Sequence, residues 1–273
     1  MGQLTQAAAA AEFLRLHRAD TPLLMPNPWD IGSARLLASM GFAALATTSA
    51  GHAATLGRAD GRVDRDEALA HAADIVGATD LPVSADLENG FADEPAGVAE
   101  TIAGALAAGL AGCSIEDSTR GAPTPIYAVG LAAERVAAAA ETAHAGPVHL
   151  VLTARCENYL HGLADLDDTI ARLQAYEAAG ADVVYAPGIT TIDQIRAVVS
   201  SVGVPVNVLA LPGVPSVAEL GELGVGRVSI GSGFSNAALS ALVRAAQELL
   251  DEGTYGFWDD ASDGLGVIRA AFR

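Results

Sequence analysis

Short apolar runs alternate along the chain with longer alanine-rich stretches in which apolar residues recur every three or four positions. The runs are bounded by glycine, proline or polar residues, as strands of a buried sheet are, whereas the longer stretches have helical spacing. Strands are predicted over residues 23–26, 44–48, 82–86, 112–116, 148–155, 182–186, 205–209 and 227–231. Helices are predicted near the N-terminus and over residues 31–40, 65–78, 95–108, 132–145, 167–179, 191–201, 217–223 and 236–252.

The alternation of strand and helix predicts parallel strands joined by crossover helices. Eight such units make a (β/α)8 TIM barrel of the α/β class, with residues 1–273 as a single domain. About 250 residues commonly surround one barrel core, so the length does not require a second domain. A doubly wound open sheet has the same alternation and stays an alternative. The tail from Gly253 onward is predicted either to pack on a neighbouring subunit or to fray.

Composition and charge narrow the range of partners. The chain is 51% hydrophobic and carries 15 basic against 33 acidic side chains, for a net charge of −18. An acidic surface repels a phosphate backbone, so nucleic acid is an unsuitable partner, whereas a divalent cation suits this charge. No uncharged apolar run reaches the length of a membrane span. Cys113 and Cys156 lack metal-ligand spacing and predict buried thiols in a reducing, cytoplasmic compartment.

Polar residues collect where the predicted strands end. In a parallel barrel, the reactive groups lie at the carboxyl ends of the strands. The residues at these ends are Thr47, Thr48 and Ser49 after the second strand, Asp86 and Glu88 after the third, Glu116 and Asp117 after the fourth, Arg155 and Glu157 after the fifth, and Asn207 on the seventh. The sequence therefore predicts one polar site at this end of the barrel.

The acidic residues of this set predict a metal site. In extended backbone, residues two apart point to the same side, so Asp86 and Glu88 are expected to converge on one ion. Glu116 from the next strand and Asp60 from the loop after the second strand complete an all-oxygen ligand set. Such ligands suit Mg²⁺ or Mn²⁺. The alternative interpretation is that these acids are solvated loop charges of an acidic protein.

The remaining polar residues predict substrate contacts. The guanidinium of Arg155 is expected to bind a substrate carboxylate, or else to form a structural salt bridge with Glu116 or Glu157. Asn207 either donates its amide to a second carboxylate or serves as a hydrogen-bonding layer inside the barrel. The backbone amides of Thr48 and Ser49 lie in a turn suited to an anion.

Two loop histidines, His52 and His161, are candidates for proton transfer near neutral pH. Solvated side chains without a catalytic role are the alternative. Neither interpretation changes the predicted cation and carboxylate sites.

Six phrases in the chain resemble the isocitrate lyase/phosphoenolpyruvate mutase superfamily, in the family's order. They are PNPWDIGSAR at 26–35, LGRAD at 56–60, VSADLENG at 83–90, GCSIED at 112–117, LTAR at 152–155 and AGAD at 179–182. The resemblance implies a modified barrel, Mg²⁺ near the strand ends, and 2-oxo acids or related dicarboxylates as substrates of an enolate-forming reaction. It also implies a homo-oligomer, a dimer or a tetramer, with the last helix exchanged between subunits.

Carried over by position, the resemblance implies roles for the matched residues. Asp86 becomes the principal metal-associated carboxylate, with Glu88 and Glu116 assisting through water and Asp60 nearby. Arg155 becomes a ligand of the substrate anion. The backbone amides of Thr48 and Ser49 lie against the substrate carboxylate. The predicted catalytic groups are therefore Arg155, Asp86 and Glu116, and Asn207 joins the predicted substrate contacts.

The specialised residues of the family are missing. Its lyases carry a Lys-Lys-Cys-Gly-His loop, and its mutases carry a loop with lysine and asparagine, whereas residues 117–127 here have none of these patterns. Pro187 stands near where lyases have glutamate and mutases have histidine. The predicted reaction is accordingly one that needs no dedicated base.

The sequence predicts Mg²⁺-assisted carbon–carbon cleavage of a small 2-oxo or 2-hydroxy dicarboxylate, with oxaloacetate-type decarboxylation as the plainest case. The enolate left behind would take its proton from solvent, His52 or Tyr127. One alternative is a phosphoenolpyruvate phosphomutase or related C–P enzyme, in which Arg120 or Ser118 would steer the phosphoryl group. The alternative from another class is a non-catalytic barrel that binds a carboxylate.

Overall fold

Parallel strands form one sheet that curves into a barrel. The computed structural model describes residues 4–121 and 123–273. Its strands are β1 Leu23–Met25, β2 Leu45–Ala46, β3 Val83–Asp86, β4 Gly112–Glu116, β5 Val151–Arg155, β6 Val183–Tyr185, β7 Val206–Leu209 and β8 Arg227–Ser229, paired in the order β1-β8-β7-β6-β5-β4-β3-β2. The Ala46 amide donates to the Pro26 carbonyl oxygen over 3.1 Å, so β1 and β2 meet. The nearly closed ring confirms the predicted (β/α)8 barrel over the open sheet.

Helices follow the strands as predicted, with two additions. They are α1 Gln6–Leu16, α2 Ile31–Ser39, α3 Ser49–Thr55, α4 Arg65–Gly77, α5 Pro95–Ala107, α6 Val129–His144, α7 Leu166–Ala178, α8 Ile192–Ser201, α9 Val217–Glu222, α10 Gly233–Asp251 and α11 Phe257–Ala271. The additions are α3, directly after β2, and α11, which packs against α2. Within residues 4–121 and 123–273, no helix has both the length and the apolar character of a membrane span.

Local sequence signals explain where the units begin and end. Four helices, α2, α4, α8 and α9, begin with capping boxes, in which the first side chain and the one three residues later each bind the other's backbone amide. Gly109 and Gly180, in the repeated phrases AGLAG and AGAD, have φ values of 84° and 103°. Residues with a Cβ rarely adopt this conformation, so glycine ends α5 and α7 and turns the chain into the next strand.

Two different environments lie on the two sides of the strands. Between strands and helices, fully buried apolar side chains such as Ile102, Leu150 and Leu173 form the main core. The barrel interior instead contains the buried cation Arg227, whose Nε donates to Asn207 Oδ1 over 2.9 Å and whose Nη1 donates to Thr153 Oγ1 over 3.1 Å. Burial lowers the pKa of Arg227 to about 10, which leaves it charged near neutral pH. Among the described residues, none of its hydrogen bonds reaches a carboxylate.

His17 closes the bottom of the barrel next to this cation. Its Nδ1 lies 2.7 Å from the Phe13 carbonyl oxygen and its Nε2 lies 3.1 Å from Arg227 Nη1. Since the guanidinium can only donate, Nε2 must accept and Nδ1 must carry the proton of a neutral ring. Burial, assisted by the charge of Arg227, lowers the pKa of His17 to about 3. The folded protein therefore binds a second ring proton at His17 far less readily than the unfolded chain does.

Acid should consequently destabilise the fold through His17. The unfolded histidine takes up a proton below about pH 6.5, so stability present above that pH is lost progressively as the pH falls toward 3. Between pH 7.5 and 4.5, the free energy of unfolding of the wild type, measured with urea, should fall by about 2 to 3 kcal/mol more than that of His17→Gln, whose amide does not titrate. The variant His161→Gln, at an exposed histidine, serves as the control and should behave as the wild type does. Equal pH slopes for wild type and His17→Gln would contradict this assignment.

Candidate functional site

A cavity of about 150 Å³ lies at the carboxyl ends of the strands. This is the end of the barrel at which the sequence predicts a site. Among the predicted residues, its lining includes Thr48, Ser49, Asp60, Asp86, Arg155 and Asn207. Residues from inside the barrel, among them Ser84, Ser114, Tyr185 and Arg227, also contribute to the lining. The cavity is therefore polar at its rim and at its floor.

Arg155, the last residue of β5, organises the rim. Its Nη1 lies 2.9 Å from Asp86 Oδ1, and its Nη2 lies 3.1 Å from Glu116 Oε2 and 2.9 Å from Glu157 Oε1. Adjacent parallel strands place these residues together, because Glu116 and Arg155 are direct partners in the β4–β5 register. One positive and three negative charges leave this cluster with a formal excess of negative charge. Such a cluster attracts a further cation.

Burial and charge act in opposite directions on these groups. Burial raises the pKa of Glu116 well above its usual value, with Arg155 opposing it, and raises the pKa of Glu157 in the same way. Burial alone would lower the pKa of Arg155, but Glu157, Glu116 and Asp86 outweigh it and hold that pKa well above its usual value. The guanidinium thus remains charged, but its single positive charge does not balance the three acids around it.

Backbone amides hold Asp86 in its orientation. Ser49 N–H donates to Asp86 Oδ2 over 3.2 Å, and Glu88 N–H donates to Oδ1 over 3.3 Å. The Asp86 amide in turn donates to Thr47 Oγ1 over 3.0 Å. Thr48 caps α3 by accepting a hydrogen bond from Gly51 N–H. The turn predicted to receive an anion therefore holds the Asp86 carboxylate in this structure.

Glu88 belongs to a different ion pair. It lies beyond the end of β3 and has a φ of 48°, so the extended alternation that predicted Asp86 and Glu88 on one side does not reach it. Its Oε2 lies 2.8 Å from Arg120 Nη2. Burial, opposed by Arg120 and supported by Asp86 and Asp60, raises the pKa of Glu88 to about 7.

The four predicted metal ligands are thus neighbours without forming one cluster. Asp86 and Glu116 share Arg155, Glu88 pairs with Arg120, and Asp60 is exposed at the rim. Within residues 4–121 and 123–273, no three of these acids bring their oxygens within 4.8 Å of one another. Their chemistry, carboxylate oxygen throughout, fits a hard cation.

Asn207 is buried and has its amide engaged inside the protein. Its Nδ2 donates to Ser229 Oγ over 2.8 Å, and its Oδ1 accepts from Arg227. This is the hydrogen-bonding layer that the sequence left open as an alternative to substrate binding. Asn207 nonetheless lines the cavity floor, so the prediction that it contacts substrate stays a prediction.

Sequence reasoning missed Tyr185 and Arg227, two further residues of the cavity lining. The ring of Tyr185 lies 5.4 Å from Arg155 Cζ, and burial raises its pKa to about 12, so it carries its proton at neutral pH. The strand register contained the signal, because Tyr185 is paired with Arg155 and Arg227 with Asn207. Register partners on adjacent strands face the same side of a sheet, so an inward-facing residue implies that its partner also faces inward.

The predicted proton carriers in the loops lie elsewhere. His52 stacks on His71 at 3.7 Å between ring centroids, and the Tyr127 hydroxyl bonds with Asp93 and Asn89. His161 Nε2 lies 3.2 Å from Ser118 Oγ, at the base of the loop 118–127, of which residue 122 is outside the described part of the chain. Neither His52 nor Tyr127 is among the residues described as lining the cavity.

Comparisons with known proteins agree on one group of relatives. A family model described as phosphoenolpyruvate phosphomutase matches residues 13–250. An uncharacterized protein of Mycobacterium tuberculosis is 36% identical over 241 residues, covering 88% of this chain and 89% of that protein. An oxaloacetate decarboxylase of Bradyrhizobium is 33% identical over 179 residues, covering 63% and 59%. A solved structure from Burkholderia cenocepacia, provisionally assigned as a lyase/mutase, has a TM-score of 0.93, 56% identity and coverage of 97% and 95%.

Proposed function

The chain belongs to the phosphoenolpyruvate phosphomutase family, and on this premise we propose that it is a Mg²⁺-dependent carbon–carbon lyase. Its substrate would be a small 2-oxo or 2-hydroxy dicarboxylate, with oxaloacetate-type decarboxylation as the simplest reaction. The observation that carries the proposal is that Arg155 pairs with both Asp86 and Glu116, and that Arg155 and Asp86 line one cavity. Similarity to an oxaloacetate decarboxylase supports the choice of reaction.

Electrostatics supply the reason for a divalent cation. Asp86, Glu116 and Glu157 already exceed the charge of Arg155, and a dicarboxylate would bring two more negative charges to the same place. Repulsion between like charges at this distance opposes binding unless a further cation is present. Asp86 and Glu116 would hold Mg²⁺ or Mn²⁺, with Glu88 and Asp60 beside them. Such an ion, when bound, would polarise the 2-oxo group and offset negative charge that develops on its oxygen.

The size of the cavity favours a small ligand. Sites for larger ligands usually measure about 300–1,000 Å³, whereas this cavity has about 150 Å³. Within it, Arg155 would orient one carboxylate by paired hydrogen bonds, and the Ser49 amide would donate to the same group. The Asp86 carboxylate that now accepts from both would then face the cation. Loss of CO₂ needs an electrostatic clamp and no general base, which suits a site without the family's specialised loop residues.

The proton that completes the reaction would come from the Tyr185 hydroxyl, either directly or by relay from a water molecule. Its side chain lines the cavity and is the protonated phenol nearest to Arg155 among the cavity-lining residues. Tyr185→Phe should lower kcat by about 10²-fold, the lower end of the range for a proton-transfer group, with little change in KM. Tyr127→Phe, outside the cavity lining, is the matched control and should stay near wild type. An unchanged kcat in Tyr185→Phe would assign the proton to solvent alone.

A substrate panel tests the proposed function. Purified protein with Mg²⁺ is given oxaloacetate, 2-methylisocitrate, isocitrate, phosphoenolpyruvate and phosphonopyruvate, and the products are followed by NMR. We expect carbon–carbon cleavage of oxaloacetate or of one of the two tricarboxylates, abolished by EDTA. Conversion of phosphoenolpyruvate into a phosphonate, or of phosphonopyruvate into a phosphate ester, would instead support a phosphomutase, for which Arg120 is less available because it pairs with Glu88. Binding without turnover of any substrate would support the non-catalytic carboxylate-binding barrel.

We also propose that the protein is a homo-oligomer, a dimer or tetramer, in the cytoplasm. Apolar side chains on the last two helices are exposed in the single chain, among them Leu242, Leu250 and Trp258. Large exposed apolar surfaces are commonly covered by another protein. Packing or exchange of α10 and α11 between subunits would cover it. Cys113 and Cys156 are buried free thiols, which suits a reducing compartment.

A further inference from the structure

Two histidines and an aspartate meet at the end of the barrel opposite to the cavity. His144 is the last residue of α6, His149 precedes β5, and Asp182 precedes β6. Because β5 and β6 are parallel neighbours, the segments that enter them lie side by side. The cavity, in contrast, is lined at the carboxyl ends of these strands and shares no residue with this group.

The three side chains point at one another. His144 Nε2 lies 3.0 Å from Asp182 Oδ2, and His149 Nε2 lies 2.8 Å from Asp182 Oδ1. The two imidazole rings are stacked, with centroids 4.0 Å apart and planes 4° from parallel. One ligand atom from each side chain lies within 4.8 Å of the other two, and no other such group of histidine, cysteine or acidic residues occurs in residues 4–121 and 123–273.

The surroundings hold the carboxylate in place and leave the histidines accessible. Leu152 N–H donates to Asp182 Oδ2 over 2.8 Å, so a backbone amide orients the aspartate. The Asp182 side chain is 11% exposed, whereas those of His144 and His149 are 27% and 46% exposed. A fixed carboxylate beside two accessible imidazoles offers an ion an entry path from solvent. Outer contacts that orient a ligand in this way are typical of metal sites.

We propose that His144, His149 and Asp182 form a second cation site, selective for Zn²⁺ or a similar first-row transition metal. Imidazole nitrogens with one carboxylate are ligands that Zn²⁺ favours, whereas the all-oxygen set around Asp86 suits Mg²⁺. A neutral imidazole carries a single proton, which can sit on Nδ1 and leave Nε2 free to bind the ion. Binding of the ion therefore requires the tautomer that is protonated on Nδ1. The ion would link α6 to the starts of β5 and β6, a structural role remote from the cavity.

Zinc uptake by the full-length protein tests this site. Chelator-treated protein is dialysed against Zn²⁺ with excess Mg²⁺, and bound zinc is measured by atomic emission. Wild type should bind one equivalent more than His144→Ala/His149→Ala, and each single variant should weaken binding by about 10-fold or more. Zinc should also raise the Tm of wild type, but not that of the double variant.

Two controls separate this site from others. Asp86→Ala, in the cavity, and His161→Ala, an exposed histidine at the other end of the barrel, should both keep the additional equivalent. Equal zinc uptake by wild type and the double variant would overturn the proposal and leave a hydrogen-bonded His–Asp–His contact. Should the double variant fail to fold, His149→Ala decides the question, because its side chain is the most exposed of the three.

Discussion

Asp86→Ala should lower kcat/KM for the cleaved dicarboxylate by about 10³-fold, which corresponds to about 4 kcal/mol of lost transition-state stabilisation. Asp86 lies between Arg155 Nη1 and the Ser49 amide, so its removal withdraws a carboxylate from the centre of the rim. The half-saturating Mg²⁺ concentration should rise at the same time. Steady-state kinetics over a series of Mg²⁺ concentrations measure both effects.

Two further variants show whether the effect depends on the charge and the position of Asp86. Asp86→Asn keeps the shape and the hydrogen bond from Ser49 but not the charge, and should lose nearly as much activity as the alanine variant. Asp193→Ala removes a carboxylate that is 94% exposed on α8 and should behave as wild type. Undiminished decarboxylation in Asp86→Ala would refute the role proposed for this residue.

Arg155→Met should destabilise the fold by about 3 to 5 kcal/mol at pH 7.5, besides abolishing turnover. The guanidinium is the shared partner of Asp86, Glu116 and Glu157, and its loss leaves three neighbouring carboxylates without their cation. Burial already raises the pKa values of Glu116 and Glu157, and Arg155 opposes that rise. Without it the pKa values of these acids would rise further above those of the unfolded chain.

The sign of the pH effect follows from this difference. A carboxyl group whose pKa is raised by folding favours the folded state as the pH falls toward its unfolded value of about 4.3. The deficit of Arg155→Met relative to wild type should therefore shrink between pH 7.5 and 5.5, as measured by urea unfolding. Arg196→Met, at an exposed ion pair, should change stability by about 0.5 kcal/mol or less at either pH. Wild-type stability of Arg155→Met at pH 7.5 would contradict the proposed charge balance.

The barrel could be predicted because each of its units has a strong local signal. Apolar runs, alanine-rich helices and glycine-ended units identify the strands and nearly all the helices. Helix α3, Ser49–Thr55, was missed because its sequence SAGHAAT has small residues, a glycine and no apolar periodicity. Helix α11 was missed because glycines and acids interrupt its pattern, although it packs on α2.

The location of the site could be predicted from the sequence, whereas most of the contacts between its side chains could not. Strand ends brought Asp86, Glu116 and Arg155 together because Glu116 and Arg155 are register partners and Asp86 ends the strand next to β4. Glu88 turned to Arg120 because β3 ends at residue 86, and no periodicity rule indicates where a strand stops. The partners of Arg155 depended on side-chain reach across three chain segments, which spacing along the sequence does not encode.

The charge on Arg227 gives the interior of the barrel a permanent electric polarity. A cation near the base of the strands and an excess of acids at their tips create a field along the barrel axis. An anion with unevenly distributed charge experiences a torque in such a field before it touches any side chain. The anion would thus enter the barrel with one particular end first, so its orientation is partly decided during its approach.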